Sequence, residues 1–182
     1  IRDYKVTGVQ TCALPISTIH AVASCIHDRD DKEVTMGRKF DGIIISHLGN
    51  IDGRQEEKEN TLPYIQAALK AGWHVCLDVV FRNGCFLLPH SRGFHSVPPA
   101  LLSKQRVWWR AHDADTVDAL CNVNAHCFLL SESFMSLTSA QFIWTLPPHA
   151  LVARSIAAFP EFADPDWLEA AEPAGQIGRA HV

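Results

Sequence analysis

The chain alternates short apolar runs with polar segments of helical spacing. Gly42-Ile-Ile-Ile-Ser46 is a β-branched run of the kind found in strands buried on both faces. A polar stretch rich in Gly, 47–58, follows it. Across 59–71, Leu62, Ile65, Ala68 and Leu69 recur at helical spacing, and Gly72 stands where a C-terminal cap belongs, so this segment predicts a helix. Residues 73–80 predict a second strand, Asn83-Gly84 a turn, and 85–88 a short strand beyond it. Residues 96–104 read as a loop in which Pro98-Pro99 leads into a helical turn. Further strands are expected at 106–109, 126–130, 142–145 and 155–159, with helices at 114–121 and from 166 to 171. Residues 133–139 read as a connection rich in turns, and Pro147-Pro148 stops the strand before it.

Strands alternating with helices at this spacing predict βα units and a parallel sheet. No Gly-x-Gly-x-x-Gly or P-loop follows the first strand, which counts against a nucleotide-binding open sheet. The expected fold is α/β, a (β/α) TIM-type barrel incomplete at its C-terminus, since about six principal strands are visible against the eight of a closed barrel.

The two ends change which residues enter that fold. Val6-Thr-Gly-Val-Gln-Thr-Cys-Ala-Leu-Pro-Ile16 and Ile177-Gly-Arg-Ala-His-Val182 resemble the two arms of a translated sequencing adapter. Residues 1–16 and 177–182 are therefore expected to be adapter-derived and 17–35 read-through or an extension. The barrel domain is expected over 36–176, from Met36. A chain cut short of its last strands is a further expectation. The formal net charge is −4, and setting aside Arg2, Lys5, Arg179 and Asp3 makes the remainder more acidic. That speaks against a broad nucleic-acid surface. No run approaches the roughly 18 apolar residues of a membrane span. Beyond Cys12, the cysteines Cys25, Cys76, Cys85, Cys121 and Cys127 contain no Cys-x-x-Cys pair. An odd, scattered set predicts core thiols in a reducing, cytoplasmic setting and no disulfide framework.

Candidate chemistry gathers at the strand ends. His47 follows the first strand, Glu59 opens the next helix, and His90 follows the strand after Gly84. Cys76 and Asp78 lie two apart on one strand and so share a face. Two histidines with carboxylates suit metal-assisted phosphodiester hydrolysis. A divalent cation would offset the phosphate charge, one imidazole would take a proton, and the other would give one to the leaving alkoxide. Glu132 is a further possible ligand; His74, His95, His112 and His126 receive no role, and Trp108-Trp109 are assigned to the core.

Three segments carry a resemblance: Ile45-Ser-His47-Leu-Gly-Asn50, Glu59-Asn-Thr-Leu-Pro-Tyr-Ile-Gln-Ala-Ala-Leu69, and Gly72-Trp-His-Val-Cys-Leu-Asp-Val79. In order and spacing they are similar to the glycerophosphodiester phosphodiesterase family, with its His-Arg-Gly, Glu-Asn-Thr and Glu-x-Asp-Val motifs. Residues 137–161 resemble a compact bacterial subgroup of that superfamily. The resemblance implies His47 and His90 as the acid/base pair and Glu59 and Asp78 as metal ligands, with Cys76 at the third ligand position. It implies a divalent cation, Mg²⁺ or Ca²⁺, and a small-molecule phosphodiester substrate cleaved to an alcohol and a phosphomonoester. Three residues depart from the pattern. Leu48 stands where the family has a phosphate-binding Arg, Cys76 where it has Glu, and Ser91 where it has Asp. A thiol in place of a carboxylate disfavours hard cations and favours Zn²⁺. These departures predict either an altered enzyme or a phosphodiesterase-like binding protein without turnover.

Overall fold

The sheet begins at β1 (Ile43–His47), whose register places Ile45 and His47 on one face. The computed structural model describes residues 42–130, 134–164, 166–169 and 173–178, all within a unit spanning 39–182. The expectations for 1–16, 17–35, Met36, Cys25, Glu132 and residues 179–182 lie outside the described residues. Helix α1 (Leu62–Lys70) leads to β2 (His74–Arg82). Then come β3 (Cys85–His90), β4 (Gly93–Ser96) and the short α2 (Pro99–Leu102). Strand β5 (Val107–Ala111), helix α3 (Ala114–Asn122) and strand β6 (Cys127–Leu129) follow. The last described elements are β7 (Met135–Leu137), β8 (Ile143–Thr145), β9 (Ser155–Ala158), a 3-10 turn at Pro160–Phe162, α4 (Asp166–Glu169) and β10 (Gly175–Gly178).

The strands form one ten-stranded mixed sheet. Its parallel part runs β6-β5-β2-β1-β10-β9-β8. Strand β7 joins β8 antiparallel, and the β3–β4 hairpin extends from the end of β2. This corrects the expected (β/α) TIM-type barrel. Among the described residues, helices longer than a single turn follow only β1 and β5. Beyond β6 the chain turns back as β7 and pairs antiparallel with β8, where a barrel would place a helix. The remaining helices are single turns, and the sheet stays open. The two ends of its parallel part nevertheless meet through side chains: Phe128 of β6 stacks on Trp144 of β8 at 4.6 Å between ring centroids.

Period-2 alternation sorts the strand residues into two cores. Val75, Leu77, Val79, Val107, Trp109 and Ala111 face the helices and pack against Ile65, Ala68 and Leu69 of α1 and Leu120 of α3. Ile45, Cys76, Trp108, Phe128, Trp144, Ile156 and Ile177 fill the opposite side. Ile177 and Gly178, read from the sequence as adapter, lie in β10 between β1 and β9, and Ile177 is fully buried. Gly175 is a close-approach position. A Cβ there would lie 2.6 Å from the Ile43 carbonyl oxygen and 2.9 Å from Ile156 Cδ1, so only glycine lets β10 seat beside β1. Among the described residues no helix is long and apolar enough to cross a membrane.

Candidate functional site

The site is built where β1, β2 and β5 end. His47 is the last residue of β1 and is only 5% exposed. The chain then turns sharply through Leu48 (φ 55°) and Gly49 (φ 91°). The Leu48 amide donates to the Cys76 carbonyl at 2.8 Å, which ties the end of β1 to β2. Gly49 serves both the left-handed backbone and a tight contact, since a Cβ would meet Tyr64 Cδ1 at 3.0 Å.

Strands β2 and β5 pair in parallel with Asp78 opposite Arg110. Arg110 Nε donates to Asp78 Oδ1 at 2.5 Å and Nη2 donates to Oδ2 at 2.9 Å, a bidentate arrangement. Nη2 also lies 3.1 Å from His47 Nε2. A guanidinium only donates, so His47 accepts at Nε2, and its neutral ring carries the proton on Nδ1. His112, just beyond β5, brings Nε2 to 3.1 Å from Asp78 Oδ1. The edge of the His47 ring meets Phe159 at 5.0 Å between centroids.

The charges support one another. Burial alone would raise the Asp78 carboxyl, but hydrogen bonds from His112 and Arg110 and the guanidinium charge hold it well below the usual carboxylate range. Burial opposes the Arg110 charge, and the bond to Asp78 reverses that and raises its pKa. The hydrogen bond between His112 and Asp78 raises His112 against a smaller effect of burial. Among the described residues the Arg110 Nη1 hydrogens make no hydrogen bond.

The remaining sequence candidates fall elsewhere. Cys76 faces the same side as Asp78 but is completely buried, and burial pushes its thiol up to about 12, so it is a protonated core residue. Glu59 precedes α1 and lies outside it. Its Oε1 accepts from Asn50 Nδ2 at 2.8 Å, and the same amide reaches the His47 carbonyl at 2.9 Å. Glu59 therefore supports the β1 turn at one remove. His90 ends β3, where its Nε2 lies 3.1 Å from the Glu57 carbonyl and its Nδ1 accepts from the Arg92 amide. What connects His90 to the site is Asn60. Its amide donates to the Leu48 carbonyl at 3.1 Å, and its Nδ2 donates to the Pro89 carbonyl at 2.9 Å.

Sequence reasoning missed Arg110 and assigned His112 no role. The available signal was the one that marked Asp78: a charge on an otherwise apolar strand, where an unpaired ion would be costly. Arg110 satisfies that description, two residues beyond Trp108 on the same face.

A divalent cation does not fit the residues as they stand. Both Asp78 oxygens are held by Arg110, Glu59 is engaged by Asn50, Cys76 is protonated, and the guanidinium fills the space between Asp78 and His47. Among the described residues no three His, Cys, Asp or Glu side chains are grouped to hold a metal. A groove of about 600 Å³ beside α1, lined by Lys58, Tyr64 and His95 among others, includes none of His47, Asp78, Arg110 or His112. No family model, curated protein or solved structure matches the chain in the comparisons made.

Proposed function

We propose that this chain is a phosphodiesterase-like protein that binds small phosphodiesters at the strand ends, with Arg110 as its cationic anchor and catalysis impaired. The supporting observation is the oriented guanidinium, clamped on one edge by Asp78, whose Nη1 makes no hydrogen bond among the described residues. An arginine fixed in this way offers its Nη1 hydrogens to a phosphate without having to be ordered on binding. Asp78 favours the protonated form of His112, and in that form the Arg110–Asp78–His112 group carries a net positive charge toward a ligand. The motif order at His47, Glu59 and Asp78 supports a glycerophosphodiester as the ligand class. A reducing, cytoplasmic setting belongs to the same proposal and is supported by the exposed thiols of Cys85 and Cys121.

Hydrolysis to an alcohol and a phosphomonoester is the second reading, favoured by the His112–Asp78 pair. A histidine whose protonated form is favoured by a carboxylate is suited to protonating a leaving alkoxide. His47 is less well placed as a base, because Arg110 already donates to its Nε2.

Calorimetric titration with a soluble glycerophosphodiester in EDTA tests the proposal. Binding is expected in EDTA and is expected to be lost in Arg110→Gln. Binding that appears only with added Mg²⁺ or Ca²⁺ would overturn it. Release of phosphomonoester under the same conditions would establish the hydrolytic reading.

A further inference from the structure

The cysteines at the corner between α3 and β6 are not independent core thiols. We propose that Cys121 and Cys127 form a thiol–disulfide pair that takes up two oxidising equivalents from a small disulfide such as oxidised glutathione. Their sulfurs lie 3.9 Å apart. A disulfide requires about 2.05 Å, so closure needs an approach of about 2 Å shared between two side chains.

The backbone on both sides holds the sulfurs in place. Helix α3 ends in a Schellman motif: the Asn124 amide donates to the Cys121 carbonyl at 2.9 Å and the Ala125 amide to the Leu120 carbonyl at 3.0 Å. Asn124 supplies the left-handed residue that this motif needs, with φ 53°. Cys127 is fixed by β-pairing with Trp109. It is also held by Ser139, whose Oγ accepts from the Cys127 amide at 2.9 Å and whose amide donates to the Cys127 carbonyl at 2.8 Å. The five residues between the cysteines thus form a short, capped corner that returns the chain with both sulfurs facing.

Exposure assigns the order of events. Cys121 is exposed and Cys127 is buried. The Cys121 thiolate attacks one sulfur of the small disulfide, forming a mixed disulfide and releasing one thiol. The Cys127 sulfur then attacks Cys121, forming the internal bond and releasing the second thiol. The two protein thiols lose two protons and two electrons, and the small disulfide is reduced to two thiols. Burial, together with the neighbouring Cys121, pushes the Cys127 thiol up to about 11, which makes this second attack the slow step and leaves the mixed disulfide observable.

Residues 111–154 carry no Lys or Arg before Arg154, so one tryptic peptide contains Cys121 and Cys127 and no other cysteine. After treatment of the reduced full chain with oxidised glutathione and blocking of free thiols, this peptide is expected to be lighter by two hydrogen atoms and unblocked. In Cys127→Ser the same peptide is expected to keep a glutathione on Cys121, and in Cys121→Ser to keep a free Cys127. A wild-type peptide with two blocked thiols, or one with glutathione on Cys121 that never resolves, would overturn the proposal. Cys121→Ser changes only an exposed side chain, so the test does not depend on the fold tolerating a change at Cys127.

Discussion

Arg110 meets the Asp78 carboxylate edge to edge, with Nε 2.5 Å from Oδ1 and Nη2 2.9 Å from Oδ2, across neighbouring parallel strands. Both side chains are largely buried, at 11% and 17% exposure. Removing one partner of such a pair leaves the other charge desolvated, at a cost of about 3–5 kcal/mol. Arg110→Met is therefore expected to lower stability by about that amount in urea denaturation. Asp78→Leu combined with Arg110→Met is expected to recover most of the loss, because no ion then remains to be buried. A double variant as unstable as the single one would show that the pair is not what is lost.

That pairing also marks how far the sequence could be read. The period-2 alternation of 73–80 placed Cys76 and Asp78 on one face, and that assignment holds in β2. The apolar runs located β1, β2, β5, β6, β8 and β9 to within a few residues. What they could not carry was the pairing order. Strands of three residues, such as β6, β7 and β8, have too few positions to reveal a period. β7 was read as a turn because Ser136 and two exposed residues occupy an edge strand, and edge strands lack an apolar face on both sides. The antiparallel return at β7 ends the sheet beside β8. For the site, local motifs led to His47, Glu59, Asp78 and His90, whereas the Asp78–Arg110 and Cys121–Cys127 contacts depend on neighbours set by register and capping.

Asn60 is expected to behave as a structural fastener between β1 and β3. It adopts φ 56°, where a Cβ-bearing residue other than Asn or Asp is strained by about 1–2 kcal/mol, and its side chain holds the Pro89 carbonyl. Asn60→Ala loses both features and is expected to cost about 2–3 kcal/mol. Asn60→Gly keeps the backbone conformation and is expected to cost about 1 kcal/mol, the worth of one hydrogen bond. Equal losses in the two variants would remove the backbone from the explanation.

Stability should fall on acidification before the carboxylates titrate. His74 accepts from Trp108 Nε1 at 3.0 Å, and His126 lies against the same indole at 4.0 Å between centroids. Burial, then the Arg106 charge, lowers His74 from 6.5 to about 4; burial, then His74, does the same for His126. The unfolded chain therefore binds protons that the folded chain refuses, so stability present above pH 6.5 is lost as the pH falls toward 4. Asp78 adds a loss at lower pH, since its folded pKa lies below 3.8. His74→Gln retains an acceptor for the indole and is expected to flatten the loss between pH 6.5 and 4 in urea midpoints. An unchanged slope would exclude His74 as its source.

Ligand affinity should fall on the alkaline side. His112 has its pKa raised above 6.5 by Asp78, and its protonated form adds positive charge beside Arg110. Calorimetric affinity for a glycerophosphodiester is expected to weaken as pH rises through the folded His112 pKa. His112→Gln is expected to bind with the weaker, pH-independent affinity throughout that range. A pH dependence that survives in His112→Gln would point to a different proton.

Placing at Cys76 the carboxylate found in the glycerophosphodiester phosphodiesterases that the sequence resembles is not expected to create a metal site by itself. A glutamate there would lie on the same face as Asp78, within the field of Arg110. The guanidinium would pair with the new carboxylate, and the cation's place would remain taken. Cys76→Glu alone should therefore show no upward shift of Tm with millimolar Ca²⁺ or Mg²⁺, like the unmodified chain. Cys76→Glu with Arg110→Ala opens the space and leaves two carboxylates on one face without the guanidinium, a repulsion that a divalent cation would relieve. A cation that binds only the folded state raises Tm by mass action, by about 2.7 kcal/mol of stabilisation at a hundredfold excess over Kd. The double variant is expected to be less stable than the unmodified chain without metal and to regain Tm with it. If Cys76→Glu alone shifts with Ca²⁺, Arg110 yields its place to a cation, and the metal-free reading of the site is wrong.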